Sequence, residues 1–162
     1  MPRVPTLPVP LAMAAAGFLA ACASQGPVGP QTTAPAAIPE LPPKIRAEEI
    51  TGRWGLAAFH KPEDRARTEA AARNGCKQPY VISMGPGGGV MMHLADSAKP
   101  EELRMKGAPG DRTFIGPPGE VGGMQDREII SFDGRVMVTR FVDPEVNGRY
   151  GTQVFVRCAP RA

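Results

Sequence analysis

The sequence predicts a mainly β protein: a small antiparallel up-and-down barrel of about eight strands, with one short helix between the first two strands. Eight short segments of extended character are separated by breaks rich in glycine and proline, a pattern typical of a β-sandwich or barrel. One alanine-rich segment has helical character instead. The last strand needs a neighbour on both edges, and closure against the first strand provides one.

The first strand is predicted over residues 50–59. Gly52, Trp54, Leu56 and Ala58 fall on one face at period two, and the intervening residues fall on the other. The strand therefore begins with a large aromatic side chain on one face.

The helix is predicted over residues 62–74. Pro62 suits the first turn of a helix, and the two acidic residues that follow it suit the positive end of the helix dipole. Good helix formers continue to Gly75, which suits a left-handed C-terminal position. Because the apolar side is mostly alanine, we expect the helix to lie on the surface and bury little.

The remaining strands are short and are punctuated by turns. They are predicted at 80–84, 90–95, 102–106, 113–115, 127–131, 135–142 and 151–158. In the hairpin around Asp133 and Gly134, a two-residue loop would set Arg127 opposite Arg140, a destabilising like-charge pair. We expect a three-residue loop, which sets Asp126 opposite Arg140.

The amino-terminal segment, residues 1–21, has the parts of a secretory signal peptide. Arg3 precedes an apolar run over 11–22 that ends in small residues, and the run is too short to span a bilayer as a helix. Its end, Leu19-Ala20-Ala21-Cys22, resembles the lipobox of bacterial lipoproteins. The resemblance implies that Cys22 carries the lipid, palmitate among its acyl groups. Since Ala23 is not aspartate, it implies attachment to the outer membrane on its periplasmic face.

Residues 22–49 are predicted to form a lipidated, proline-rich tether, and residues 50–162 the barrel domain. The stretch 23–47 holds six prolines and few large apolar side chains, so it cannot bury enough surface to offset the entropy of ordering. A proline-rich ligand for a partner domain is the alternative to a plain spacer.

The three cysteines divide once Cys22 is assigned to the lipid. Cys76 and Cys158 remain as an even pair, and an exported chain reaches an oxidising compartment, which favours a disulfide between them. Two buried free thiols are the alternative. A metal pair is disfavoured because neither cysteine lies in a CxxC motif or beside a histidine.

No set of residues predicts catalysis, a metal site or a cofactor, so we expect a non-enzymatic protein. His60 and His93 are the only candidates for a general base near neutral pH, and neither has a nucleophile context. The glycine-rich stretch 85–89 lacks the GK[ST] ending of a phosphate loop. With 18 basic and 16 acidic residues left after removal of the leader, and no basic cluster, nucleic acid is not an expected partner.

Methionines are numerous and either fill the core or line an adaptable apolar pocket. The six in question are Met84, Met91, Met92, Met105, Met124 and Met137. The glycine-rich stretch 116–123 is predicted to be a mobile connection at the barrel mouth, where a binding function would lie.

Gly52-Arg53-Trp54 resembles the G-x-W signature of the calycin group, which comprises lipocalins, avidins and small bacterial metalloprotease inhibitors of the AprI/Inh type. The resemblance implies that Trp54 closes one end of an eight-stranded barrel and that an arginine packs across it. Arg157 is the first candidate for that arginine and Arg53 the second. The helix between the first two strands departs from the group's pattern, so no inhibitory residues are transferred.

Three functions are compatible with these observations. The first is a lipid-anchored structural or protein-interaction module of the envelope, with a protein partner, and this is the function we expect. The second is a protease inhibitor of the calycin type. The third is a binder of a small apolar ligand in the barrel mouth, which requires an open cavity of a few hundred Å³.

Overall fold

The structure, a computed structural model, describes residues 39–159. Eight strands follow one another in chain order, pair antiparallel with their neighbours, and close as β8 pairs with β1. The strands are β1 (Gly52–Phe59), β2 (Tyr80–Met84), β3 (Val90–His93), β4 (Pro100–Ala108), β5 (Arg112–Gly116), β6 (Arg127–Phe132), β7 (Val136–Phe141) and β8 (Thr152–Arg157). The predicted barrel and its closure are confirmed.

Three α-helices accompany the strands: α1 (Ala47–Ile50), α2 (Arg65–Asn74) and α3 (Pro144–Tyr150). The predicted helix between the first two strands is confirmed as α2. Short 3-10 turns at Pro62–Asp64 and Gly75–Lys77 flank it. Helix α3 was not predicted from the sequence, although Asp143 caps it by accepting hydrogen bonds from the backbone N–H groups of Glu145 and Val146.

Successive side chains of each strand point to opposite faces of the sheet. One apolar cluster therefore fills the barrel interior, and another lies on its outer surface. The interior is filled by large apolar side chains that are almost fully buried, among them Trp54, Ile82, Met92, Leu103, Ile115, Met137 and Phe155. The outer faces of β1, β7 and β8 pack against Ala72 of α2. Gly55 allows this helix to approach, since a Cβ at Gly55 would lie 1.8 Å from the carbonyl oxygen of Ala72.

Gly75 has a different role from the one predicted. Its φ is −62°, in the right-handed region, so it is not a left-handed helix end. A Cβ on Gly75 would lie 3.1 Å from the backbone nitrogen of Leu56. The residue therefore lets the end of α2 pass close to the backbone of β1.

The hairpin register between β6 and β7 differs from both predicted alternatives. Glu128, not Asp126 or Arg127, stands opposite Arg140, and the two side chains form an ion pair. Two features set this register: the turn closes between Asp133 and Val136, with Phe132 opposite Met137, and a β-bulge between Ile129 and Ser131 shifts the pairing by one residue. Arg140 thus faces an acidic residue, as expected, but that residue is Glu128 and not Asp126.

Residues 41–50 lie against the barrel, whereas the predicted tether extends to residue 49. Leu41 and Gly107 exchange backbone hydrogen bonds of 2.8 and 3.1 Å. Ala47 and Ile50 are buried in the interior cluster. We call this segment the strap. It is held because its few apolar side chains cover the end of the barrel core.

Two glycine-rich connections are held by carboxylates. Glu102 accepts hydrogen bonds from the backbone N–H groups of Gly87 and Gly89. In the 117–126 loop, Asp126 accepts from Gly122 and Gly123 and forms a buried ion pair of 2.8 Å with Lys106. Both connections thus have specific anchors, which their composition alone did not indicate.

Candidate functional site

The two ends of the barrel are built differently. At the closed end, Arg157 stacks on Trp54 with its guanidinium carbon 4.2 Å from the ring centroid. The same guanidinium donates hydrogen bonds to the backbone oxygens of Glu49, Thr51 and Gly134. The strap lies across this end. Arginine stacking and carbonyl bonding together close it.

The opposite end, which we call the mouth, holds a cavity of about 280 Å³. It is lined by side chains from six strands, from α3 and from the loop after β3. The lining residues are Leu56, Tyr80, His93, Leu94, Ala95, Asp96, Ser97, Arg127, Phe141, Tyr150, Gln153 and Phe155. A second cavity of about 210 Å³ is adjacent and shares Leu94, Ala95, Asp96 and Phe141 with the first.

Arg127 is the central polar group of the mouth cavity. It is 3% exposed and lies on the interior face of β6, two residues before the buried Ile129. Its guanidinium carbon lies 4.8 Å from the centroid of the Phe141 ring. Burial lowers the pKa of Arg127, with a smaller opposing effect from Tyr80.

The hydrogen bonds of Arg127 go to neutral oxygens. One terminal nitrogen donates to the carbonyl oxygen of His93 at 2.6 Å, and the other to Oε1 of Gln153 at 3.3 Å. Its Nε is buried and has no hydrogen-bond partner among residues 39–159. Two of the five N–H donors of the guanidinium are therefore used, and within this range no carboxylate is paired with it.

Tyr80 lies beside His93 on the wall of the cavity. The Tyr80 hydroxyl oxygen accepts a hydrogen bond from the backbone N–H of His93 at 2.9 Å and lies 3.3 Å from Nδ1 of its ring. Burial raises the pKa of Tyr80, and the hydrogen bond from His93 and the charge of Arg127 oppose that shift. Tyr80 is thus a neutral phenol near pH 7.

The rim of the cavity carries an acidic group that is already engaged. Asp96 accepts hydrogen bonds from the Tyr150 hydroxyl and from both terminal nitrogens of Arg149. The bond from Tyr150 and then the charge and bond of Arg149 lower the pKa of Asp96. This contact joins the loop after β3 to α3 at the edge of the mouth.

Of the catalytic, disulfide and barrel-closing candidates named from the sequence that the structure describes, His93 alone lines the mouth cavity. Cys22 and its lipobox lie outside the described residues. Cys76 and Cys158 lie at disulfide distance, with their sulfur atoms 2.03 Å apart, near the closed end. Trp54 and Arg157 form the closed end itself, and the side chain of Arg53 belongs to the outer face of β1. His60 is exposed.

The methionines divide between core and surface. Met92 and Met137 are fully buried inside the barrel, and Met105 packs against them. Met84 and Met124 are exposed, and none of the six lines the mouth cavity. Trp54, Phe155, Met92 and Met137 are fully buried and fill the barrel core.

Neither a metal cluster nor a spanning helix is found in the part of the chain that the structure describes. No three or more His, Cys, Asp or Glu side chains converge there in a way that could hold a metal ion. No helix of this part is both long and apolar enough to cross a bilayer.

Four residues of the mouth cavity were not predicted from the sequence as site residues: Arg127, Tyr80, Gln153 and Tyr150. A signal was present for one of them: Arg127 and Ile129 share a face of a predicted strand, so a charged residue was placed on the buried side. The others come from distant strands, and their convergence required the barrel closure and register.

Comparison with known proteins gives no match: no family model, no curated protein and no solved structure matches this chain.

Proposed function

We propose that this chain is a lipid-anchored protein of the bacterial envelope, on the periplasmic face of the outer membrane. Its barrel acts as a non-enzymatic module for protein interaction. The supporting observation is the direction of the chain. The strap, which is the last part of the segment predicted as a tether, joins the barrel at the closed end, through Leu41 on Gly107. The mouth, at the other end, is then free to meet a partner.

The rim of the mouth offers apolar surface for such a partner. Met124 is 60% exposed in the loop after β5. Leu94 and Val146 lie beside it around the second cavity. Flexible thioethers and aliphatic side chains on a rim suit adaptable protein contacts.

The anchor is tested first by labelling with a fatty-acid analogue. The unmodified chain should incorporate label and fractionate with the outer membrane, and Cys22→Ser should do neither. Persistent labelling of Cys22→Ser would refute the lipid assignment.

The interaction surface is tested by site-specific photocrosslinking in intact envelopes. A photoreactive residue at position 124 should capture a discrete partner. The matched control is position 81 on β2, where Val81 is 57% exposed but faces away from the mouth. Equal capture from both positions, or from neither, would refute the mouth as the interaction surface.

A second proposed function is the binding of a small molecule in the mouth, and the cavity of about 280 Å³ favours it. A dry cavity of about 150 Å³ already holds benzene in an engineered protein, so this volume suits a small organic ligand. The filled interior limits such a ligand to the mouth. Inhibition of metalloproteases, implied by the calycin resemblance, stays a prediction that an assay against a protease panel would test.

A further inference from the structure

We infer that the mouth cavity binds a small organic monocarboxylate, whose carboxylate group lies against the Arg127 guanidinium and whose apolar part lies among the aromatic side chains. This inference rests on the second proposed function, the binding of a small molecule in the mouth, and specifies the charge of the ligand.

The buried positive charge of Arg127 is not compensated by an acidic side chain of the described residues, and such a charge has an energetic cost. Arg127 is 3% exposed, and its partners in the described structure are a carbonyl oxygen and an amide oxygen. A buried cation is normally paired with an anion, and an apolar residue of similar volume at the same place avoids the desolvation penalty. An arginine kept here without an acidic partner is therefore explained by an anion that arrives from outside.

The guanidinium of Arg127 is also placed and ordered in a way that suits a carboxylate. The unpartnered Nε of Arg127 belongs to a side chain that lines the cavity. The guanidinium is held in place, since Phe141 stacks on it and both terminal nitrogens are fixed by hydrogen bonds. A planar fork of this kind, already ordered, matches the two oxygens of a carboxylate and loses little entropy on binding.

The charged groups around the cavity indicate how many negative charges the ligand carries. Among residues 39–159, Asp96 is the one carboxylate of the cavity lining, and Arg149 and Tyr150 already engage it at the rim. His93 and Tyr80 are bonded to each other. Arg127 remains as the arginine of the lining that has no carboxylate partner among residues 39–159, and one guanidinium matches a single negative charge. A phosphate dianion would bring a second charge with no partner in the lining.

The cavity lining also includes apolar and aromatic side chains. Leu56, Phe155 and Phe141 face the cavity, as does the aromatic ring of Tyr80. Apolar walls around one polar anchor are typical of sites for small organic ligands. We therefore expect an aromatic or short aliphatic acid.

The test uses the complete chain carrying Cys22→Ser, so that no lipid competes for the cavity. The probes are benzoate and its uncharged analogue benzamide, and the readout is the Nε–H resonance of Arg127 in ¹⁵N NMR spectra. Benzoate should shift this resonance saturably. Benzamide should bind at least about tenfold more weakly, because it cannot form a charge-assisted hydrogen bond.

Two variants assign the effect to Arg127. Arg127→Met, which keeps the apolar volume, should reduce benzoate affinity at least about tenfold, to the level of benzamide. Arg140→Met is the matched control, since Arg140 lies on the exposed face of the adjacent β7, and it should leave both affinities unchanged. If Arg127→Met does not fold, Leu56→Phe fills the cavity while Arg127 stays, and it should abolish benzoate binding.

The outcomes separate the inference from the proposal on which it rests. Equal affinity for benzamide and benzoate would overturn the monocarboxylate inference and leave a small-molecule site. Binding of neither probe would overturn both. Benzoate binding that survives Arg127→Met or Leu56→Phe, or that shifts exposed arginines equally, would overturn the inference.

Discussion

Arg157, near the end of the last strand, stacks on Trp54 in the first strand, and the two residues are directly paired across the seam that closes the barrel. The Trp54 indole N–H donates to the carbonyl oxygen of Ile50 at 2.8 Å. The Arg157 guanidinium donates to three further backbone oxygens. One side-chain pair thus joins both edges of the barrel to the strap.

Replacing Arg157 should destabilise the protein more than replacing a surface arginine. Arg157→Ala removes the stacking and leaves three carbonyl groups to find water, so we expect a loss of about 2–4 kcal/mol in the free energy of unfolding. Urea unfolding measures this loss. Arg53→Ala, on the outer face of the first strand, is the control and should cost less than about 1 kcal/mol. Equal losses would show that the seam does not depend on Arg157.

The close approach of α2 to β1 should make Gly55 intolerant of a side chain. In Gly55→Ala the added methyl group would overlap the Ala72 carbonyl oxygen, so we expect a loss of about 2–3 kcal/mol as the helix shifts. Gly148→Ala is the matched control, because a Cβ there meets no atom within 4 Å. It should stabilise α3 by about 0.5–1 kcal/mol. Thermal unfolding of both variants measures these changes in stability. A Gly55→Ala variant as stable as the parent would contradict the close packing of α2 on β1.

The Cys76–Cys158 pair, separated by 82 residues, should stabilise the barrel through its long closed loop. In the Cys22→Ser background, Cys76→Ala with Cys158→Ala should lower the free energy of unfolding by about 2–5 kcal/mol. Reductant should lower the melting temperature of the parent and leave the double variant unchanged. A parent insensitive to full reduction would refute a stabilising role for the disulfide.

Glu128 should make stability depend on pH in the acidic range. Partial burial raises its pKa, but Arg112 at 2.7 Å and Arg140 at 3.3 Å lower it by more. A folded pKa below the unfolded one means that the stabilisation is present above the unfolded pKa of about 4.3 and is lost as pH falls through the folded pKa.

The matched variants for this pH dependence are Glu128→Gln and Glu120→Gln. Unfolding free energies measured from pH 6 down to about pH 3 should fall less steeply for Glu128→Gln than for the parent, since the titrating group is gone. Glu120 is exposed in the loop after β5, and Glu120→Gln should follow the parent. A steeper fall for Glu128→Gln would reverse the assigned sign.

Local patterns in the sequence were sufficient for the strands and for the helix between the first two strands, whereas the cysteine pair followed from the even number of cysteines left once Cys22 is assigned to the lipid. Period-two alternation, helix formers bounded by Pro62 and Gly75, and turn residues act over a few neighbours, so they can be recognised without tertiary contacts. Closure followed because an eight-stranded meander leaves two edges that can pair with each other.

Only the tertiary structure decided the register, the strap and the mouth. A bulge after Ile129 placed Glu128 opposite Arg140, and no local rule locates a bulge. Leu41 pairs with Gly107 across 66 positions, and Arg127 meets His93 across 34. Alternation placed Arg127 on the buried face. Which partners it has among the described residues, where none is acidic, depends on what the other strands bring to the mouth, and such long-range contacts form only when the barrel closes.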